Sequence, residues 1–265
     1  MPTTYAHDLF GKKVYHKLPA QMQEIIRENG ELYRIGLHGP DILFYFMVSK
    51  NPVSRFGVSM HREKAREFFE LGMEQVRKYG DKALLSYLLG FGCHYLLDSS
   101  VHPYVNQVAS GGVVSHTLLE KEFDRELMVE TGRDPYSYYP SDCIVPRKSS
   151  AGVIHQALPL IRTGNIYISL KMMKILTNAM VYDDGGRRRK WLGRILKIAG
   201  KKNSAALLDH FMTETPAPEC AGPVQKLKEL YNEALKETPA YLQELYGLSQ
   251  SDKHLSSRWD LTYNG

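Results

Sequence analysis

The chain has 265 residues, 43% of them apolar and 24% charged, which is enough to bury a sizeable core and too apolar for wholesale disorder. A formal net charge of +5 is too weak to imply a nucleic-acid partner by itself, and no dedicated nucleic-acid motif is present. Three cysteines, Cys93, Cys143 and Cys220, form no CxxC pair, which argues against a thiolate zinc site and for a reducing compartment. The N-terminus MPTTYAHDLFGKKV lacks the basic start and apolar stretch of a secretory signal. No run reaches the roughly 18–20 apolar residues of a spanning helix, so the expected location is cytoplasmic.

In chain order, residues 20–29 read as a helix ending at Gly30, a plausible left-handed terminator. Residues 62–79 place Ala65, Phe68, Phe69, Gly72, Met73 and Val76 at helical spacing. Residues 82–101 are apolar almost all round, the mark of a central helix. Pro103 disfavours helical geometry at the residue before it, so His102 is expected at a helix end or bend. Ser115 is a credible N-cap for a helix through Glu130, closed by Gly132. Residues 133–150, rich in Pro, Ser and Tyr, read as a long loop. Helices follow at 151–180, 187–200, 203–213 and 223–246. No strand-like alternation persists, so the expected class is all-α. One domain, 1–265, is expected, with a metal-binding half (1–132), the loop, and a C-terminal helical half (151–265).

Chemistry concentrates between Cys93 and Glu120. His94 precedes Asp98 and His116 precedes Glu120 by four residues, so each pair projects from one helix face. With His102 between them, the set suits more than one hard or borderline cation. An aspartate in an apolar helix is costly to bury unless paired or metal-bound; a buried His–Asp hydrogen bond is the plain alternative. Asp124 continues the second stripe, where it could orient a ligand or pair with Arg125 or Arg62. Upstream, the turn His38-Gly-Pro-Asp41 carries two further candidate ligands, His61 opens the next helix, and His7 lies near the chain start. His16, His155, His210 and His254 have no carboxylate in comparable register and read as structural or surface residues. No GxSxG elbow, P-loop or HExxH motif is found.

The ordered motifs HGPD (38–41), MH (60–61), GCHYLLDSSVHP (92–103) and SHTLLEKEFDREL (115–127) resemble the zinc-dependent phospholipase C family. That family shares its fold with the S1/P1-type nucleases. The resemblance covers about the first 135 residues. It implies a multi-helix bundle with a metal cluster between helices. One zinc would be held by Asp41, His61, His94 and Asp98, and a second by His102, His116 and Glu120. A third would share Asp98 and use His7. In secreted relatives an N-terminal Trp completes that third site; here Pro2, once Met1 is removed, or His38 is the expected substitute. The interval from Asp98 to His102 is also shorter than in the secreted lipases.

The activity implied is phosphodiester hydrolysis by two or three Zn²⁺ ions, a metal-bound hydroxide attacking phosphorus, with Asp98 bridging metals and Asp41 orienting or deprotonating the nucleophile. Ligand type leaves Mn²⁺ or Fe²⁺ open. Phe44, Tyr45, Tyr104 and Tyr138 are candidate substrate contacts. Phospholipid, nucleic acid and smaller phosphoesters all present the required group, so a nuclease or other phosphoesterase is the alternative enzyme. A metal-stabilised binding protein is the non-enzymatic alternative. Residues 187–202, RRRKWLGRILKIAGKK, combine eight bases with an apolar side of Trp191, Leu192, Ile195, Ile198 and Ala199. Such a helix lies on an anionic membrane, attracts polyanions, or packs its apolar side on the core with the basic side solvated.

Overall fold

The computed structural model describes residues 4–47, 51–181, 184–198, 208–251 and 254–265, and every regular element among them is helical. The axis is a helix of 29 residues, α6 (Lys82–Ser110). Its N-terminus is fixed by Asp81, whose carboxylate accepts from the amides of Ala83 and Leu84 at 2.9 and 3.0 Å. Leu84, Leu85, Tyr87, Cys93 and Leu97 lie on different sides of α6 and all are buried, which requires partners all round. These are α1 (Thr4–Tyr15), α2 (Ala20–Glu28), α3 (Gly30–Gly36), α5 (Ala65–Tyr79), α7 (His116–Glu130), α8 (Lys148–Ala157) and α11 (Ala221–Gln250). The remaining helices are α4 (Pro52–Met60), α9 (Thr163–Ala179) and α10 (Arg187–Ile198). Apolar contact runs continuously from Tyr5 to Tyr263.

The tightest crossing is between α3 and α6. A Cβ on Gly36 would lie 2.2 Å from the Tyr87 carbonyl oxygen, and one on Gly90 2.1 Å from that of Tyr33. Only paired glycines let the two backbones meet this closely. The crossing delivers the segment after α3, a 3₁₀ stretch at Gly39–Tyr45, onto the middle of α6.

Several boundaries differ from the sequence expectation. α1 was not foreseen, because its buried face includes Thr4, His7 and Asp8 as well as apolar residues. Gly30 opens α3 instead of terminating α2. His61 is the C-cap of α4 and does not open α5, which begins at Ala65. His102 is not at a bend: α6 passes through Pro103 to Ser110. The ring removes one main-chain hydrogen bond, but burial of Val105 at 1% exposure and contact with the C-terminal tail hold the last turns in place. Residues 151–180 are two helices, because Pro159 disfavours helical geometry at Leu158 (φ −124°, ψ 63°). The expected loop 133–150 contains a 3₁₀ turn at Pro140–Cys143 and ends where α8 starts at Lys148. Of the helix expected at 203–213, residues 203–207 lie outside the described residues, and the remainder is largely turn.

The tail crosses back over α6. Trp259 is fully buried in a 3₁₀ turn at Ser257–Asp260. Arg66 clamps Asp260 through two contacts of 2.7 and 2.9 Å, and Tyr95 donates to the Arg258 carbonyl at 2.6 Å. This anchoring carries Tyr263 and Asn264 to the middle of α6.

Candidate metal centre

His94, Asp98 and His102 occupy successive turns of one α6 face, in line with the four-residue spacing. His7 comes from α1, Asp41 from the 3₁₀ stretch, His61 from the end of α4, and His116 and Glu120 from the first turns of α7. Two groups result, each with ligand atoms within 4.8 Å of one another: His7, Asp41, His94 and Asp98, all buried, and His102, His116 and Glu120. His61 joins the first group through Asp41, its Nε2 lying 3.0 Å from Oδ1.

Asp98 stands between the groups. Its Oδ2 is 3.1 Å from His94 Nε2; its Oδ1 is 3.2 Å from His7 Nε2 and 3.7 Å from His102 Nε2. On the far side, Glu120 Oε1 lies 3.3 Å from His102 Nε2 and 3.0 Å from His116 Nε2. A tetrahedral ion with arms of ~2.0–2.1 Å separates its ligands by roughly 3.3–3.4 Å, so these spacings match shared coordination. His94 Nε2 and Asp98 Oδ2 lack hydrogen-bond geometry despite their proximity, and both are fully buried. Lone pairs that pass each other in this way fit a common cation. The donor set of imidazole and carboxylate, with no sulfur, suits zinc.

Outer contacts fix the rings. His61 Nδ1 bonds the Gly57 carbonyl at 2.7 Å, and His102 Nδ1 that of Tyr263 at 3.1 Å. An Nδ1–H donated to a carbonyl leaves Nε2 as the lone pair facing the site. His116 Nδ1 lies 3.2 Å from Asn106 Oδ1. The Asn264 side chain donates to the His61 carbonyl at 3.0 Å, and the Tyr263 ring packs against His61 and His94. Gly39, in the left-handed region at φ 48°, lies against His94: a Cβ there would sit 2.2 Å from the ring.

α1 is held at both ends of the turn that carries His7. The Asp124 carboxylate accepts from the amides of Tyr5 and Ala6 at 3.1 and 2.8 Å, so it caps α1 and does not pair with Arg125 or Arg62. Burial of that cap pushes the Asp124 carboxyl up to about 7. Asp8 grips Arg34 at 2.7 and 2.8 Å and Lys12 at 2.6 Å. Burial opposes its charge, but Arg34 holds the Asp8 carboxyl below its ordinary range.

The same competition governs the ligands. Burial would raise Asp98, yet His102, His94 and His7 hold it well below the usual carboxylate range. Burial would raise Asp41 and Glu120 too, and the facing imidazoles hold both down. For His102, burial is outweighed by Asp98 and Glu120, which lift it to about 9. His94 goes the other way, lowered by burial.

Among the other candidates, His38 stands apart from both groups. Its Nε2 lies 3.1 Å from Cys143 Sγ, and burial lowers its pKa to about 3. Pro2 lies outside the described residues. Phe44 stacks on His61 with centroids 5.2 Å apart. Tyr45 and Tyr138 line a cavity of about 70 Å³ that also touches Thr4, Lys121, Asp124 and His210. Tyr104 packs on the core edge, away from that cavity. The sequence reading missed Gly57, Asn106, Tyr263 and Asn264. Three of these act through main-chain or amide oxygens, which carry no residue-type signal; only the aromatic run near Trp259 and Tyr263 hinted that the tail is buried.

The model of a family described as zinc dependent phospholipase C matches residues 4–164, which include every residue of both groups. No curated protein and no solved structure matches the chain.

Proposed function

The chain belongs to the zinc-dependent phospholipase C family, and on that premise we propose that it hydrolyses a phosphodiester bond, with a phospholipid as the leading substrate class. The observation that carries this reading is Asp98, whose two oxygens face different imidazoles and so join the two ligand groups. Asp41, His61, His94, Asp98 and His7 would hold zinc on one side, and His102, His116 and Glu120 on the other, for two or three ions. Bound zinc would supply an activated water at neutral pH and a clamp for the phosphoryl oxygens.

The chain's own groups do the positioning. Asp41 offers Oδ1 to His61 and turns Oδ2 toward His94, 4.0 Å away; we assign Oδ2 the proton of the attacking water. Burial of Asp41, His94 and Asp98 excludes bulk water, which strengthens every charge interaction in the site. His116, with 34% of its side chain exposed, marks the open side, as a catalytic rather than a closed structural site requires. Tyr45 and Tyr138 are the proposed substrate contacts, on the cavity wall.

The deciding experiment combines metal analysis of protein purified without chelator with assays on phosphatidylcholine and soluble phosphodiesters, for the parent and Asp98→Asn. The expected result is bound zinc, metal-dependent turnover, and loss of at least about a hundredfold in metal affinity and activity in the variant. Unchanged metal content and full turnover in Asp98→Asn would falsify the assignment.

A further inference from the structure

α10 has an unusual solvent face. Its sequence, RRRKWLGRILKI, has six basic residues and no acid. Four of the bases occupy the first turn, where the positive end of the helix dipole disfavours them. No acidic residue within α10 offsets these bases, and Lys190, Arg194 and Lys197 are exposed on one side of it, where an external anion can reach them.

The apolar residues do not all turn inward. Leu196 is buried, at 7% exposure, whereas Trp191 is 64% exposed and Ile195 39%. At 100° per residue Trp191 and Ile195 stand side by side on the outer face, with Arg187, Lys190, Arg194 and Lys197 to one side and Arg188 to the other. All five of these bases are exposed. The sequence pattern places Trp191, Leu192 and Ile195 on one apolar side; in the fold Trp191 and Ile195 are exposed while Leu192 is half-buried. Residues 199–202 lie outside the described residues.

The helix also sits on the rim of the cavity. Arg188 donates to the Val181 carbonyl at 3.2 Å and Arg189 to that of Leu208 at 3.5 Å. Val181 itself lines the cavity, as does His210, two residues beyond Leu208.

We propose that the outer face of α10 docks on an anionic lipid surface, with Trp191 and Ile195 entering the headgroup region and the flanking bases neutralising lipid charge. Charge complementarity selects an anionic partner, and the exposed indole of Trp191 and sec-butyl group of Ile195 select lipid over a polar polyanion such as RNA. Docking in this orientation sets the cavity rim against the bilayer. The proposal does not depend on turnover.

The test is binding of the full chain to vesicles of phosphatidylserine mixed with phosphatidylcholine, read by co-sedimentation and by tryptophan emission. Trp259 is fully buried, so a blue shift reports Trp191, and Trp191→Phe should abolish it. Binding should weaken with salt, be absent on pure phosphatidylcholine, and fall by roughly a hundredfold or more in K190E/R194E/K197E. Hydrolysis of a soluble phosphodiester by that triple variant should be unchanged, which separates loss of docking from loss of the catalytic site. Equal vesicle binding by the parent and the triple variant overturns the proposal. So does binding to RNA but not to vesicles, or a parent chain that ignores anionic vesicles altogether.

Discussion

His102 shows how a single side chain couples the metal site to protons. Buried between Asp98 and Glu120, it holds its proton up to about pH 9, so in the metal-free chain at pH 7 the ring is charged. The sign follows directly. A histidine raised in the folded state stabilises fully below its unfolded pKa of about 6.5 and loses that contribution as pH climbs toward 9. Metal-free protein should therefore become less stable between these values in denaturant titrations. Zinc must displace the same proton, so its uptake at pH 7 should release at least one proton, seen as buffer-dependent heats in calorimetry, and apparent affinity should rise with pH to about 9. Zinc affinity that is flat from pH 6 to 9 would remove His102 from the ligand set. This device was half legible in the sequence. The spacing of His94, Asp98 and His102 put three groups on one face only if α6 continued, and Pro103 argued locally against that.

At the level of elements, the site is built by segments that bring little apolar periodicity of their own. The 3₁₀ stretch at Gly39–Tyr45 reaches α6 because Gly36 and Gly90 let α3 approach it. The tail reaches the site because Arg66, Tyr95 and Trp259 anchor residues 257–260. Tyr263 and Asn264 then hold His102 and His61 through a carbonyl and a side-chain amide. Deleting residues 262–265 removes both contacts and no ligand. Supporting contacts of this kind are typically worth about 10–100-fold in metal affinity, so a competition titration against a zinc-sensitive dye should weaken by that factor while the far-ultraviolet spectrum stays helical. Parent-like affinity in the deletion would reduce the tail to packing. No sequence pattern announces a ligand's carbonyl partner 161 positions away, which is why these contacts escaped the sequence reading while the histidines did not.

For the whole molecule, the question is how far the ions hold the fold together. The apolar core runs through helices on every side of α6 and through the tail, so helical structure should survive chelation. The buried carboxylates Asp41 and Asp98 would then rely on imidazoles alone. With free zinc at about a thousand times its dissociation constant, linkage contributes about 4 kcal/mol, equivalent to about 10 °C in Tm for a chain of this size. Chelation should lower Tm by that order and zinc should restore it; an identical melting curve with and without chelator counts against a bound ion. The all-α class could be read from hydrophobic periodicity, and both HxxxD/E pairs came together as their spacing indicated. What could not be read was the rim: α10 exposes Trp191 and buries Leu196, a rotation set by Val181 and Leu208, which lie outside its own sequence.

The contact between the His102 ring and the main-chain oxygen of Tyr263 bears on the order of events during synthesis. His7 is synthesised long before Tyr263, so a nascent chain can gather its ligands well before it can lock them. Ion capture should thus tighten only once Tyr263 has emerged and folded back, and a product cut short before it should surrender its ion to a chelator more readily than a chain that contains it.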